Sequence, residues 1–157
     1  DPFPPRPRSI DIQSADPCAG LTGGQRDKLG VDAGTRRDHA PDVPGCYFTT
    51  PTQTSFTIQF LRVTGARALL PGYPDQQATD ILADPVQEEI DGFGAVRAQL
   101  RRGTPSSCSY TVDTGDDSSV QFVYSPLDSS GSPAALAAGC DKAREFASMS
   151  LSTLSAG

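Results

Sequence analysis

Apolar and polar residues alternate most regularly in the segment GCYFTTPTQTSFTIQFLRV, residues 45–63. Phe56, Ile58 and Phe60 interleave with Thr57, Gln59 and Leu61, the period-two pattern of a half-buried strand. Cys46 and Phe48 share a face just upstream, and Thr50 to Thr54 supply a turn, so the segment predicts a β-hairpin. A second hairpin is predicted around the polar stretch TGDDSS. Cys108, Tyr110 and Val112 lie on one face of its first strand, and Val120, Phe122 and Tyr124 on one face of its second. Between the hairpins, IDGFGAVRAQLRR predicts a further strand with Val96, Ala98 and Leu100 on one face. Residues 31–45 read as a loop broken by Gly34, Pro41 and Pro44. A short helix is expected from Pro74 to Ala83, with Leu69, Leu70 and Tyr73 docking the loop before it.

The period lengthens to three and four toward both ends. Asp16-Pro17 is a helix start, because the carboxylate can cap free N–H groups and proline at the first helical position forfeits no hydrogen bond. Leu21, Gln25 and Leu29 continue at helical spacing, and Gly30 is placed to end that helix. Ser132-Pro133 opens a second helix in the same way. There Leu136, Cys140, Ala143, Ala147, Leu151 and Leu154 make one apolar face. The predicted fold is α+β: an antiparallel sheet of about five strands covered by N- and C-terminal helices.

Four cysteines fall on these faces: Cys18, Cys46, Cys108 and Cys140. Three pairings are formally possible. The spacings are wide and contain no C-x-x-C, which sets aside zinc-ribbon and thioredoxin-type sites. A Cys108–Cys140 bridge would join a strand face to the face of the last helix. By the same logic Cys18–Cys46 would pin the first helix to the first hairpin. Each bridge closes a loop of roughly 30 residues, worth about 3–4 kcal/mol in the chain-entropy model. Two disulfides imply an oxidising, extracytoplasmic compartment. A thiol at a helix N-terminus can also be reactive, so Cys18 by itself leaves a second reading open.

Composition narrows the rest. The chain has 157 residues, enough for one domain with one core. Its 15 Gly and 14 Pro favour a loop-rich domain. The first seven residues hold four prolines, so residues 1–14 read as an extended tether and 15–157 as the domain. With 19 acidic against 13 basic residues the net charge is −6, and basic residues form no stripe, which argues against nucleic-acid binding. No stretch approaches the roughly 18 apolar residues of a membrane span.

With these segments in place, the chain resembles a family of actinobacterial lipoproteins that carry a domain of unknown function. The resemblance rests on Asp16-Pro17-Cys18-Ala19-Gly20-Leu21-Thr22, Gly45-Cys46-Tyr47-Phe48, Gly92-Phe93-Gly94-Ala95, Cys108-Ser109-Tyr110-Thr111-Val112 and Cys140-Asp141-Lys142-Ala143. It covers residues 12–155, and the order and spacing of the four cysteines are its most specific part. Position 47 departs from it, with Tyr where the family pattern has Trp. The resemblance implies a cell-envelope location and a lipid-bearing cysteine upstream of Asp1, and it implies no activity.

No set of residues assembles a known catalytic constellation. His39, in RRDHAPD, has Asp38 and Asp42 nearby but no nucleophile elbow, and reads as a solvent-facing loop histidine. Asp113, Asp116 and Asp117 lack the register of a calcium loop and read as a polar turn. Glu88, Glu89 and Asp91 are too close in sequence to face one another as a glycosidase pair, and read as a solvated acidic rim. The sequence therefore predicts no catalytic residue, no metal site and no cofactor. The expected function is an extracytoplasmic lipoprotein acting as a binding or protein-interaction module. Its partner would be an envelope protein, a lipid or a glycan, and it would meet the membrane only through its lipid anchor. The alternatives are a cell-wall hydrolase working through surface carboxylates and a sensor or inhibitor domain. Strand aromatics not used by the core could line a groove on the opposite sheet face.

Overall fold

A computed structural model describes residues 2–71, 82–100, 106–127 and 131–155. Seven strands form one antiparallel sheet: β1 (Thr35–Arg36), β2 (Gly45–Thr49), β3 (Ser55–Leu61), β4 (Leu82–Ile90), β5 (Phe93–Leu100), β6 (Cys108–Gly115) and β7 (Ser118–Ser125). Their spatial order is β1-β2-β3-β7-β6-β5-β4. Two α-helices, α1 (Gly23–Leu29) and α2 (Pro133–Ser155), accompany two single turns of 3-10 helix at Pro17–Gly20 and Ala66–Leu69. The α+β expectation holds, with seven strands instead of about five.

Both hairpins form as their alternation predicts. In the first, Phe48 lies opposite Phe56 and Cys46 opposite Ile58. In the second, Tyr110 lies opposite Phe122 and Val112 opposite Val120. The two strands beyond the expected number are β1 and β4. Thr35-Arg36 falls in a stretch that reads as loop, yet pairs with Tyr47 and Cys46. Two residues are too short to show a period. β4 pairs with β5 through a two-residue turn at Asp91-Gly92, both with positive φ, the geometry that Asp-Gly favours in tight hairpins. Leu82 and Ala83, expected at the end of a helix, belong to this strand; the rest of that expected helix, and Tyr73, lie outside the described residues. A bulge between Ala83 and Val86, with Asp84 at φ 53°, interrupts the alternation and hides the strand from a periodicity test.

The N-terminal helix is also divided. Asp16 caps the turn Pro17–Gly20, accepting from the Cys18 N–H at 2.9 Å. Leu21 is then extended, and Thr22 starts α1 with a reciprocal capping box to Gln25. Gly23-Gly24 would weaken a continuous helix, and Leu21 gains burial by leaving it. Gly30 closes α1 in the left-handed conformation.

One sheet face holds the main core. Phe48, Phe56, Ile58, Phe60, Val112, Val120 and Phe122 form one core cluster with the buried face of α2, which packs on β6 and β7. Phe146 of α2 meets Phe56 and Phe122 edge to face at 5.2 and 5.3 Å; it belongs to the buried helix face alongside Cys140, Ala143, Ala147 and Leu151. Disulfides Cys18–Cys46 and Cys108–Cys140, with Cα separations of 5.0 and 5.1 Å, tie the N-terminal turn to β2 and α2 to β6.

The second face is covered over half its width. The crossover from β3 to β4 carries the turn Ala66–Leu69 across β5 and β6. There Leu69 and Leu70 pack with Val96, Ala98 and Phe3. Residues 2–14, expected as a tether, contain no helix or strand and lie along the body. Phe3, Ile10 and Ile12 are buried. Gly94 makes room for the Phe3 ring, since a Cβ there would collide with it. Arg6 donates to both carboxylate oxygens of Asp113 at 3.0 and 3.1 Å and to Asp116 at 2.9 Å. Arg8 lies over the Phe93 ring and donates to the Ser155 hydroxyl.

Candidate functional site

Among the described residues nothing covers β2, β3 and β7 on the second face, and a groove of about 510 Å3 runs over them. Strand alternation decides its floor. While Phe56, Ile58 and Phe60 point to the core, Ser55, Thr57, Gln59 and Leu61 line the groove with Gln121, Val123 and Ser125 of β7. Leu69 and Leu100 form one wall. Arg37, His39 and Val43 form the other, with Tyr47 of β2 at its base.

The paired arginines separate at this wall. Arg36 pairs opposite Cys46 in β1 and turns to the carboxylates of Asp38 at 2.6 Å and Asp16 at 3.6 Å. Its bond to Asp38, with help from the Gly45 N–H, holds the Asp38 carboxyl below the usual range. Arg37 continues the ladder through its N–H to the Gly45 carbonyl. Its side chain takes the other direction and lies over the Tyr47 ring at 4.1 Å. Among the described residues Arg37 has no carboxylate partner. His39 is exposed, as expected, and its backbone N–H reaches the Val43 carbonyl, which places it on the groove rim. Asp38 is committed to Arg36, and among the described residues no carboxylate bonds the His39 imidazole. On the floor, Gln121 donates its amide to the Thr111 hydroxyl at 3.2 Å. The side chains of Ser55, Thr57, Gln59 and Ser125 make no hydrogen bond to another described residue and remain available to a ligand.

The acidic clusters lie elsewhere, and Glu88, Asp91, Asp113 and Asp116 in them are already paired. Glu88 is no part of a free solvated rim. It pairs with Arg97 at 2.5 Å and accepts from Arg144 at 2.7 Å and from the Tyr110 hydroxyl at 3.1 Å. Burial, reinforced by the Glu88 charge, pushes the Tyr110 phenol up. Glu89 alternates to the other side of β4 and is exposed. Asp91 accepts from Ser148 at 2.6 Å. Glu88 and Glu89 therefore do not face each other across a cleft. Asp113 and Asp116 share the Arg6 guanidinium, and its bond is the main cause that keeps the Asp116 carboxyl below its ordinary value. Among the described residues no group of three or more His, Cys, Asp or Glu side chains is arranged to hold a metal ion. All four cysteines are in disulfides, so Cys18 is a staple and not a reactive thiol.

The groove residues were partly legible. Thr57 and Gln59 stand out as the polar half of β3, and Tyr47 as an aromatic beside Cys46. Arg37 and Gln121 carry no sequence signal of their own, because their meeting depends on strand order. Fold and site together define a disulfide-braced α+β domain with a groove over one half of one sheet face. The chain belongs to the family described as protein of unknown function (DUF3558), whose model matches residues 1–153. No curated protein and no solved structure matches it. Among the described residues no helix is long and apolar enough to cross a membrane.

Proposed function

We propose that this protein is a non-enzymatic binding or interaction module on the extracytoplasmic side of an actinobacterial cell envelope, and that the groove over β2, β3 and β7 is its binding site. The observation that carries the reading is the groove itself. It is concave and sized for a small ligand, and its floor carries the Ser55, Thr57 and Ser125 hydroxyls and the Gln59 amide, which bond no other side chain or backbone group among the described residues. The two disulfides support the compartment, because such bridges persist where thiols are not kept reduced. A lipid on a cysteine upstream of Asp1 would hold the domain at the membrane.

Isotope-labelled protein titrated with fractions of an envelope extract tests the reading. Shifts should concentrate on Tyr47, Thr57, Gln59 and Gln121. Shifts confined to the Glu88 cluster, or turnover of a cell-wall polymer abolished by Glu88→Gln, would favour the hydrolase and overturn it.

A further inference from the structure

The charge and floor chemistry of the groove restrict what it takes. This step rests on the groove being the binding site. The chain carries a net charge of −6, yet no carboxylate lines the groove among the described residues, and its two basic residues, Arg37 and His39, sit together on one wall. The neighbouring carboxylates that could have neutralised Arg37 are drawn off: Arg36 takes both Asp16 and Asp38. The Tyr47 ring, 4.1 Å from Arg37 Cζ, covers one side of the guanidinium. Its N–H groups bond no other described residue, and a guanidinium with free N–H groups can grip a carboxylate through two parallel hydrogen bonds.

The floor decides what else the ligand carries. Ser55, Thr57, Gln59, Gln121 and Ser125 present three hydroxyls and two amides. A hydrocarbon chain would meet Val43, Leu61, Leu69, Leu100 and Val123, but it would strip water from the hydroxyls and amides between them and return no hydrogen bonds. An extended peptide would find no free strand edge to pair with, because β3 and β7 are bonded to each other and to β2 and β6. A sugar fits both requirements. Its hydroxyls can exchange hydrogen bonds with the floor, and the C–H face of its ring can rest on Val123, Leu69 and Leu100. We infer that the groove binds a short carboxylate-bearing saccharide, with the carboxylate on Arg37 and the sugar hydroxyls on the Thr57, Gln59 and Gln121 side chains.

The full chain is titrated by calorimetry and by chemical-shift mapping with four probes: cellobiouronic acid, neutral cellobiose, octanoate and an acidic tetrapeptide. The uronic acid should bind about ten-fold more tightly than cellobiose, the scale of one good charge-assisted pair, and shift Tyr47, Gln59 and Gln121. Arg37→Gln should remove that preference while leaving the thermal midpoint in place, since Arg37 is exposed. Gln121→Ala should weaken both sugars together. Equal binding of the two sugars, an unaltered preference in Arg37→Gln, or no sugar binding at all overturns the inference. Tighter binding of octanoate or the tetrapeptide in the same groove also overturns it, but leaves the groove as a binding site. Sugar binding mapped away from the groove defeats both readings.

Discussion

The two halves of the second sheet face are built from similar residues and meet different fates. Over β5 and β6 the face is roofed by Leu69, Leu70 and Phe3, and the buried hydroxyls of Ser109 and Ser119 are paired to backbone carbonyls. Ser109 donates to the Ala98 carbonyl at 3.1 Å, and Ser119, at the β7 end of this region, to the Thr64 carbonyl at 2.8 Å. Over β2, β3 and the rest of β7 there is no such roof among the described residues, and Ser55, Thr57 and Ser125 have no protein partner. A polar residue on a strand is therefore ambiguous by itself. Under a roof it has to be satisfied by the protein; without one it is free for solvent or a ligand.

Substitutions along β3 sharpen the contrast most. Phe60→Ala, on the core face, should cost about 3–5 kcal/mol, readable as a large drop in the urea midpoint. That is a large share of a typical total of roughly 5–15 kcal/mol. Removing one bridge by a Cys108→Ala and Cys140→Ala double change should cost about 3.5 kcal/mol for a loop of this length. Calorimetry under matched conditions would show it, and a loss below about 1 kcal/mol would mean that α2 is held by packing alone.

The roofed half has its own handle. Arg6→Ala leaves Asp113 unpaired beneath the N-terminal strap and should cost about 1–2 kcal/mol. Hydrogen exchange should then speed up at the β5 amides while β3 stays protected. Equal loosening of both would contradict a separate strap.

Acid should act on both halves. The lowered carboxyls of Asp38, bonded by Arg36, and Asp116, bonded by Arg6, favour the folded chain at pH above the unfolded value of about 3.9. That contribution is lost as pH falls through the lowered folded values. Melting temperature should be level from about pH 5 to 7 for these groups and decline below about pH 4. Both carboxylates are exposed, so the decline should be modest. The smallest effect is expected at Gln59→Ala, on the open floor: within about 0.5 kcal/mol on stability, with its consequence in binding alone.

The outline of the core was legible in single strands. Phe56, Ile58 and Phe60 mark one face of β3, and the face of α2 could be read from Cys140, Ala143, Ala147 and Leu151, although Phe146 escaped that spacing. The disulfide pairs followed, because each joined two faces already recognised as apolar. β4 was hidden for a local reason: a bulge at Asp84-Pro85 breaks its alternation, and its polar residues Gln87, Glu88 and Glu89 resemble a loop. The strap was hidden because prolines signal an extended chain without saying what it lies on.

The sequence by itself determined the two hairpins, the glycine that ends α1 and the Ser-Pro start of α2, the four cysteines as staples and the polar outer face of β3. These are local properties, set by periods of two or three to four residues and by the conformational limits of Pro and Gly. Only the tertiary structure decided that β7 returns to lie beside β3, that the crossover and Phe3 roof one half of the second face, and that Arg36 draws away the acids beside Arg37. Those outcomes depend on contacts between residues far apart in the chain, and neither period nor spacing records which distant surface a given side chain will meet.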